Sequence, residues 1–255
     1  MTSKIVIVAG GTTGMGRATA LARAARGDDV TVLGRSRRDL PSSVRFLVAD
    51  LSSVAEVERA AAEIAERHPR VDALTLFANR PMPRRTETAD GLEYTFALYY
   101  LSRYLLAARL APLMSVDSVI VNVSGVGTTS GEIHWADPQL RSRYGLVRAQ
   151  LQAGRANDLL GVAHEGKARY VLYHPGFTRS GLDGHSNPLV RGVLKTLAVF
   201  AARPVERSVA PIVEWIEHPP AERLTASDRG KTVDLSGKEA DARRLMAYTE
   251  CLLAR

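Results

Sequence analysis

Cysteine, lysine and long apolar runs are all scarce in this chain, and each shortage narrows what it can be. Cys251 is the one cysteine among 255 residues, so no internal disulfide can form, as expected of a reducing compartment. No apolar run approaches the ~18 residues that a membrane-spanning helix needs. The start, Met1-Thr2-Ser3-Lys4, lacks the basic and small-residue pattern of a secretion signal. These features predict a soluble, cytoplasmic protein with no membrane partner. Lysine is limited to Lys4, Lys167, Lys195, Lys231 and Lys238, although Lys and Arg together number 34 and the net charge is +7. The positive charge is therefore mostly arginine, scattered along the chain. There is no lysine-rich tail and no aromatic-interleaved basic stripe, which argues against a nucleic-acid partner. Nor does any His, Cys and carboxylate grouping have metal-ligand spacing, so no metal site is expected.

What is present is a regular alternation. A hydrophobic content of 45% over this length suits one large domain spanning 1–255. Short β-branched runs at 4–9, 29–34, 44–48, 73–78, 117–123, 168–174 and 231–235 read as strands. Stretches at 14–26, 53–67, 91–113, 144–164, 205–217 and 238–253 read as helices. In 53–67, for example, Val54, Val57, Ala61, Ile64 and Ala65 keep helical spacing, and Ser52 or Ser53 can cap the start. Alternation of this kind predicts an α/β doubly wound Rossmann domain, a parallel sheet of about seven strands with helices on both faces. The polar stretch 176–190 followed by a helix at 191–202 reads as a substrate lid over 176–202.

The first strand runs into Gly10-Gly11-Thr12-Thr13-Gly14-Met15-Gly16. Glycines between a strand and a helix let the backbone turn tightly and approach a pyrophosphate, which the helix N-terminus then binds. Gly10, Thr12, Gly14, Met15 and Gly16 are therefore candidate dinucleotide contacts, with the spacing G-x-x-x-G-x-G. The second strand ends in Gly34-Arg35-Ser36-Arg37-Arg38. A carboxylate there would bind a ribose and repel a 2′-phosphate, whereas arginine offers the phosphate a planar fork. Arg35, with Ser36, Arg37 or Arg38 assisting, thus favours NADP(H) over NAD. Asp50 and Leu51 follow the third strand, where the aspartate either meets an adenine amino group or caps the next helix.

On these motifs the chain resembles the short-chain dehydrogenase/reductase family over nearly its full length. Asp90-Gly91-Leu92-Glu93-Tyr94-Thr95-Phe96, His174-Pro175-Gly176 and the arginine-rich end at 243–245 resemble its retinol-dehydrogenase-like branch. The resemblance implies nicotinamide contacts at Pro175, Gly176 and Thr178, and cofactor contacts at Ala78 and Asn79. It also implies oligomers through helices 91–113 and 144–164.

The family's catalytic positions are altered. Its Asn-Asn-Ala-Gly reads Leu76-Phe77-Ala78-Asn79, its helix asparagine reads Tyr99, and its working serine reads Gly125, beside Ser124. The Tyr-x-x-x-Lys pair has two registers. Tyr144 and Arg148 keep the tyrosine, whereas Gly154-Arg155-Ala156-Asn157 would place Leu151 and Arg155 in those slots. Ser124 and Tyr144 are the candidate catalytic residues. Tyr99 and His174 read as packing residues, and His134 as a loop residue beside Trp135. Within the family this pattern is most similar to the simocyclinone-type angucyclinone ketoreductases of antibiotic biosynthesis. That likeness implies an NADPH-dependent reduction of a polycyclic aromatic ketone, with the substrate's own hydroxyl supplying the proton. The alternatives are a non-redox cyclase or dehydratase on the same fold, or a non-catalytic NADP-binding protein.

Overall fold

The computed structural model describes residues 3–127, 131–176 and 204–254. Among the described residues, eight strands form one sheet in the order β3-β2-β1-β4-β5-β6-β7-β8. They are β1 (Ile5–Ala9), β2 (Asp29–Gly34), β3 (Arg45–Val48), β4 (Ala73–Leu76), β5 (Val119–Val123), β6 (Arg169–His174), β7 (Leu224–Asp228) and β8 (Lys231–Thr232). All adjacent pairs are parallel except β7 and β8, which are antiparallel. Because helices cover both faces, successive residues of a central strand enter different cores. In β1, Ile5, Ile7 and Ala9 join one cluster while Val6 and Val8 join the other. The helices are α1 (Gly14–Ala24), α2 (Val54–Arg67), α3 (Tyr94–Phe96), α4 (Ser102–Leu110), α5 (Leu146–Val162), α6 (Val205–Glu217) and α7 (Glu239–Leu253). Residues of α1 and α6 pack into the Val6 and Val8 cluster, and those of α2, α4, α5 and α7 into the other.

The doubly wound fold is as the sequence predicts, with three local corrections. The last parallel strand is Leu224–Asp228, and the expected 231–235 supplies only the two-residue β8. Arg229 (φ 52°) and Gly230 (φ 88°) turn the chain between them, the left-handed pair that a tight hairpin needs. The expected helix 91–113 begins at Tyr94, where the Glu93 carboxylate caps the amides of Thr95 and Phe96. It widens into a π turn over Ala97–Leu101 before α4. The expected helix 144–164 is Leu146–Val162, which leaves Tyr144 ahead of its Gly145 N-cap. Of the expected lid 176–202, only Gly176 lies within the described residues.

A candidate dinucleotide and carbonyl site

β1 lies between β2 and β4, and after β3 the chain crosses back past β1 to build the other half of the sheet. A crevice opens at the C-terminal edge of such a crossover, and α1 begins there. Gly10 (φ 83°) turns the chain out of β1. A Cβ on Gly16 would lie 2.4 Å from the Gly10 carbonyl oxygen, so only glycine lets α1 start this close to the strand. Thr13 caps α1 without a side-chain hydrogen bond, and no acidic residue occupies the first turn. Open N–H groups and a positive dipole end at Gly14, Met15 and Gly16 fit a pyrophosphate. Thr12 packs near Gly34 at the end of β2. Arg35, Ser36 and Arg38 beyond it are exposed. Arg37 is instead tied back to the carbonyls of Pro41 and Val44 at 2.8 and 3.0 Å.

The remaining cofactor candidates follow the same edge. Asp50 Oδ1 accepts from the amide and hydroxyl of Ser52 at 2.9 and 2.7 Å, and Leu51 is buried behind it. The cap of α2 is Ser53, whose hydroxyl accepts from the Glu56 amide, and the Asp90 carboxylate accepts from the Val54 amide at 3.0 Å. Ala78 continues β4, its amide donating to the Ala9 carbonyl at 3.2 Å. Asn79 is exposed and exchanges amide hydrogen bonds with Gln150 of α5 at 2.9 and 3.2 Å. Pro175 is buried, Gly176 takes φ 85°, and Thr178 lies outside the described residues.

Beneath this edge is a buried polar network whose partners sequence reading did not connect. The Arg103 guanidinium is 1% exposed and donates to the Ala78 carbonyl (3.0 Å), the Val123 carbonyl (2.9 Å) and Asn122 Oδ1. Burial lowers it to about 10, so it is still a cation at neutral pH. It lies 4.6 Å from the Tyr99 ring centroid, a cation–π contact. Asn122 Nδ2 donates to Asn157 Oδ1 and the Tyr170 hydroxyl at 2.9 and 2.8 Å. Asn157 Nδ2 donates to the carbonyls of Tyr99 and Ala153, both at 2.8 Å. A π turn misaligns the helical ladder, and the Tyr99 carbonyl finds its partner in Asn157 instead. The Tyr99 hydroxyl accepts from the Gly125 amide, and burial holds the phenol above its ordinary range. Tyr99 thus packs, as the sequence suggests, but against a buried cation.

The catalytic candidates have different surroundings. The Ser124 Oγ is buried with no hydrogen-bond partner at the end of β5, while its amide continues the ladder to the Tyr173 carbonyl at 3.0 Å. The Tyr144 hydroxyl donates to the Met82 carbonyl at 2.8 Å, and burial pushes its pKa up. Arg148 Nε donates to His134 Nε2, and Arg155 Nε to the Gly131 carbonyl, both at 2.8 Å. In both registers, therefore, the arginine reaches the loop that follows β5. A cleft of about 610 Å³ opens there, lined by Gly131, His134, Leu146, Val147, Arg148 and Leu151 among others. His174 is the further surprise. Its Nδ1 sits 2.7 Å from Asp228 Oδ1, and Arg229 grips both carboxylate oxygens of Asp228 at 3.0 Å. Asp228 is hidden in the sequence because its strand, Leu-Thr-Ala-Ser-Asp, carries little apolar signal. Among the described residues, no group of His, Cys, Asp and Glu could hold a metal ion. No described helix is long and apolar enough to cross a membrane.

Residues 4–137 match the short chain dehydrogenase family. Across 94% of its length the chain is 30% identical to the "Putative daunorubicin C-13 ketoreductase DnrU" of Streptomyces sp. (strain C5), covering 88% of that protein. It is 29% identical to retinol dehydrogenase 13 of Homo sapiens, over 72% of this chain and 61% of that one. Among solved structures, the RhlG/NADP active-site complex of Pseudomonas aeruginosa superposes with a TM-score of 0.68 at 19% identity, covering 90% of this chain and 96% of that one. A short-chain dehydrogenase from Streptomyces avermitilis does so at 0.63 and 22%, covering 99% and 95%. At those identities the structural likeness speaks for the fold alone. Family match, relatives and fold converge: the chain belongs to the short-chain dehydrogenase family, a nicotinamide-dependent family, and is an oxidoreductase.

Proposed function

We propose that this protein is an NADPH-dependent ketoreductase acting on a polycyclic aromatic ketone with a hydroxyl beside the carbonyl, as in aromatic polyketide antibiotic biosynthesis. The substrate class rests on the near full-length likeness to the daunorubicin ketoreductase. The observation that carries the chemistry is that no tyrosine in the sequence is followed four positions later by a lysine. Tyr144 precedes α5 with its hydroxyl engaged by Met82, and Leu151 holds the alternative slot. A carbonyl reduction still needs a proton for the developing alkoxide. A phenol hydrogen-bonded to the ketone carries that proton in the right place.

The nicotinamide dinucleotide supplies the hydride when bound. The α1 N-terminus at Gly14 to Gly16 would hold its pyrophosphate, with Gly10 and Thr12 shaping the turn. Arg35, Ser36 and Arg38 would take the 2′-phosphate, and Asp50 and Leu51 the adenine. Ala78, Asn79, Pro175, Gly176 and Thr178 would line the nicotinamide half, and the Ser124 hydroxyl would bind the ketone oxygen. The apolar cleft beside Leu146, Val147 and Leu151 suits flat rings. Following NADPH absorbance with a panel of hydroxylated polycyclic ketones tests the reading. Oxidation of NADPH with reduction of the ketone is expected, and Tyr144→Phe should keep most of the activity. Product formed without NADPH oxidation would replace it with a non-redox activity. A loss of several orders of magnitude in Tyr144→Phe would return the acid role to that tyrosine.

A further inference from the structure

Three strand ends bring a serine, a histidine and an aspartate into one row. Val123 and Tyr173 are paired across β5 and β6, and the next hydrogen bond, from the Ser124 amide to the Tyr173 carbonyl, carries the ladder one residue on. His174 and Asp228 are directly paired across β6 and β7. Alternation along a strand puts His174 on the same face as Leu172 and Tyr170, the face covered by α5. Ser124 follows Asn122 by two residues, and Asn122 bonds Tyr170 and Asn157 on that same face. All three residues lie at the C-terminal edge of the sheet, and Pro175-Gly176 follows His174 directly.

Their hydrogen bonding is asymmetric. His174 Nδ1 is bound to Asp228 Oδ1 at 2.7 Å, and a carboxylate can only accept there, so Nδ1 carries hydrogen. Asp228 is itself fixed by Arg229 through both oxygens. Close behind it, a Cβ on Gly127 would fall 2.9 Å from the Asp228 Cβ. The tautomer and ring plane of His174 are thus set by its neighbour, leaving Nε2 as the working nitrogen. Ser124 Oγ is buried without a hydrogen-bond partner among the described residues. Among the described residues, the charged groups against this ring are Asp228 and, through it, Arg229.

We propose that His174 is the protein's proton donor in the reduction, with Asp228 as its positioning residue and Ser124 as the group that holds the ketone oxygen. This rests on the ketoreductase reading above. As the carbonyl carbon gains hydride from NADPH, its oxygen takes the proton of the adjacent phenol. The phenolate left behind takes a proton from Nε2 of protonated His174, which regains one from water. Neighbouring strands lie about 4.8 Å apart, so residues at adjacent strand ends can address two oxygens that share an internal hydrogen bond.

The test uses the full chain and two readouts. The first is kcat against pH with a hydroxylated polycyclic ketone. The wild type should lose rate on the alkaline side, where a general acid is deprotonated. His174→Gln should lose about 100-fold or more and show no such limb, and Asp228→Asn should lose less and shift it. The second needs neither turnover nor cofactor. Bound 1,8-dihydroxyanthraquinone changes colour when its phenol ionises, and the pH of that change should differ by about one unit or more between wild type and His174→Gln. Thermal unfolding verifies that both variants are folded. An unmoved colour change and pH limb in both variants would overturn the proposal even if the rate falls, as would failure of the dye to bind. A His174-dependent colour change in a wild type that reduces no ketone would support the proton site and sink the ketoreductase reading.

Discussion

Arg103 shows what a single side chain does when it replaces water beneath a reactive edge. Its donors reach two main-chain carbonyls that end β4 and β5, Ala78 and Val123, and the Asn122 amide oxygen. Arg103→Met would keep the bulk but orphan those acceptors, and each buried acceptor left unpaired costs about 1–3 kcal/mol. The expected loss is about 2–5 kcal/mol, measured from urea unfolding midpoints. Arg35 is the opposite case, an exposed arginine with no described partner waiting at the end of β2. Under the proposed NADPH preference, Arg35→Ala should raise KM for NADPH about 10–100-fold, the equivalent of one charge-assisted contact. KM for NADH should barely move, and an equal effect on both would remove the 2′-phosphate role. At this scale the sequence exposes Arg35 because position along the chain is enough. It hides Arg103, because the carbonyls that need it come from two strands on either side of it in the chain.

The π turn between α3 and α4 depends on a partner 58 positions further along. Asn157 on α5 satisfies the Tyr99 carbonyl and also locks Asn122. Asn157→Ala should destabilise the fold by about 2–4 kcal/mol. Amide exchange should quicken first around 99–103, and uniform quickening over the whole chain would count against this local role. A second inter-element tie is Arg23 of α1, 1% exposed, paired with Asp28 at 2.5 Å and with Glu217 of α6 at 2.8 Å. The Arg23 hydrogen bond holds the Glu217 carboxyl below its ordinary value. Its stabilisation is therefore complete above the unfolded value of about 4.3 and is lost as pH falls through the lower folded one. Glu217→Gln should flatten that part of the decline between pH 6 and 3, read from unfolding midpoints. Elements with strong periodicity, such as β1, β2 and α2, are legible from sequence to within a residue or two. β7 is not, since Leu-Thr-Ala-Ser-Asp is half buried, carries little apolar signal and pairs on one side with only two residues. The alternation of 231–235 is more strand-like, yet only Lys231–Thr232 forms a strand there.

Across the whole molecule, the switch point between β1 and β4 makes cofactor binding and stability one property. A ligand at 100 times its Kd adds about 2.7 kcal/mol to the folded state, or roughly 5–10 °C for a domain of this size. NADPH should raise Tm by that amount, and NADH by less at equal concentration. Equal shifts would argue for a cofactor grip indifferent to the 2′-phosphate. The overall architecture could be read from the alternation of strand and helix patterns, whereas the joining of Ser124, His174 and Asp228 could not, because it exists only once three strands align. The same sheet has a further consequence at its two borders. Among the described residues, one border is β3, four residues long and beginning at Arg45, and the other is the two-residue β8, beginning at Lys231 and running against its neighbour. Short, cationic borders make poor templates for another chain's backbone. A broad, aliphatic sheet of the kind that would otherwise seed fibrils is thereby left without a growing end.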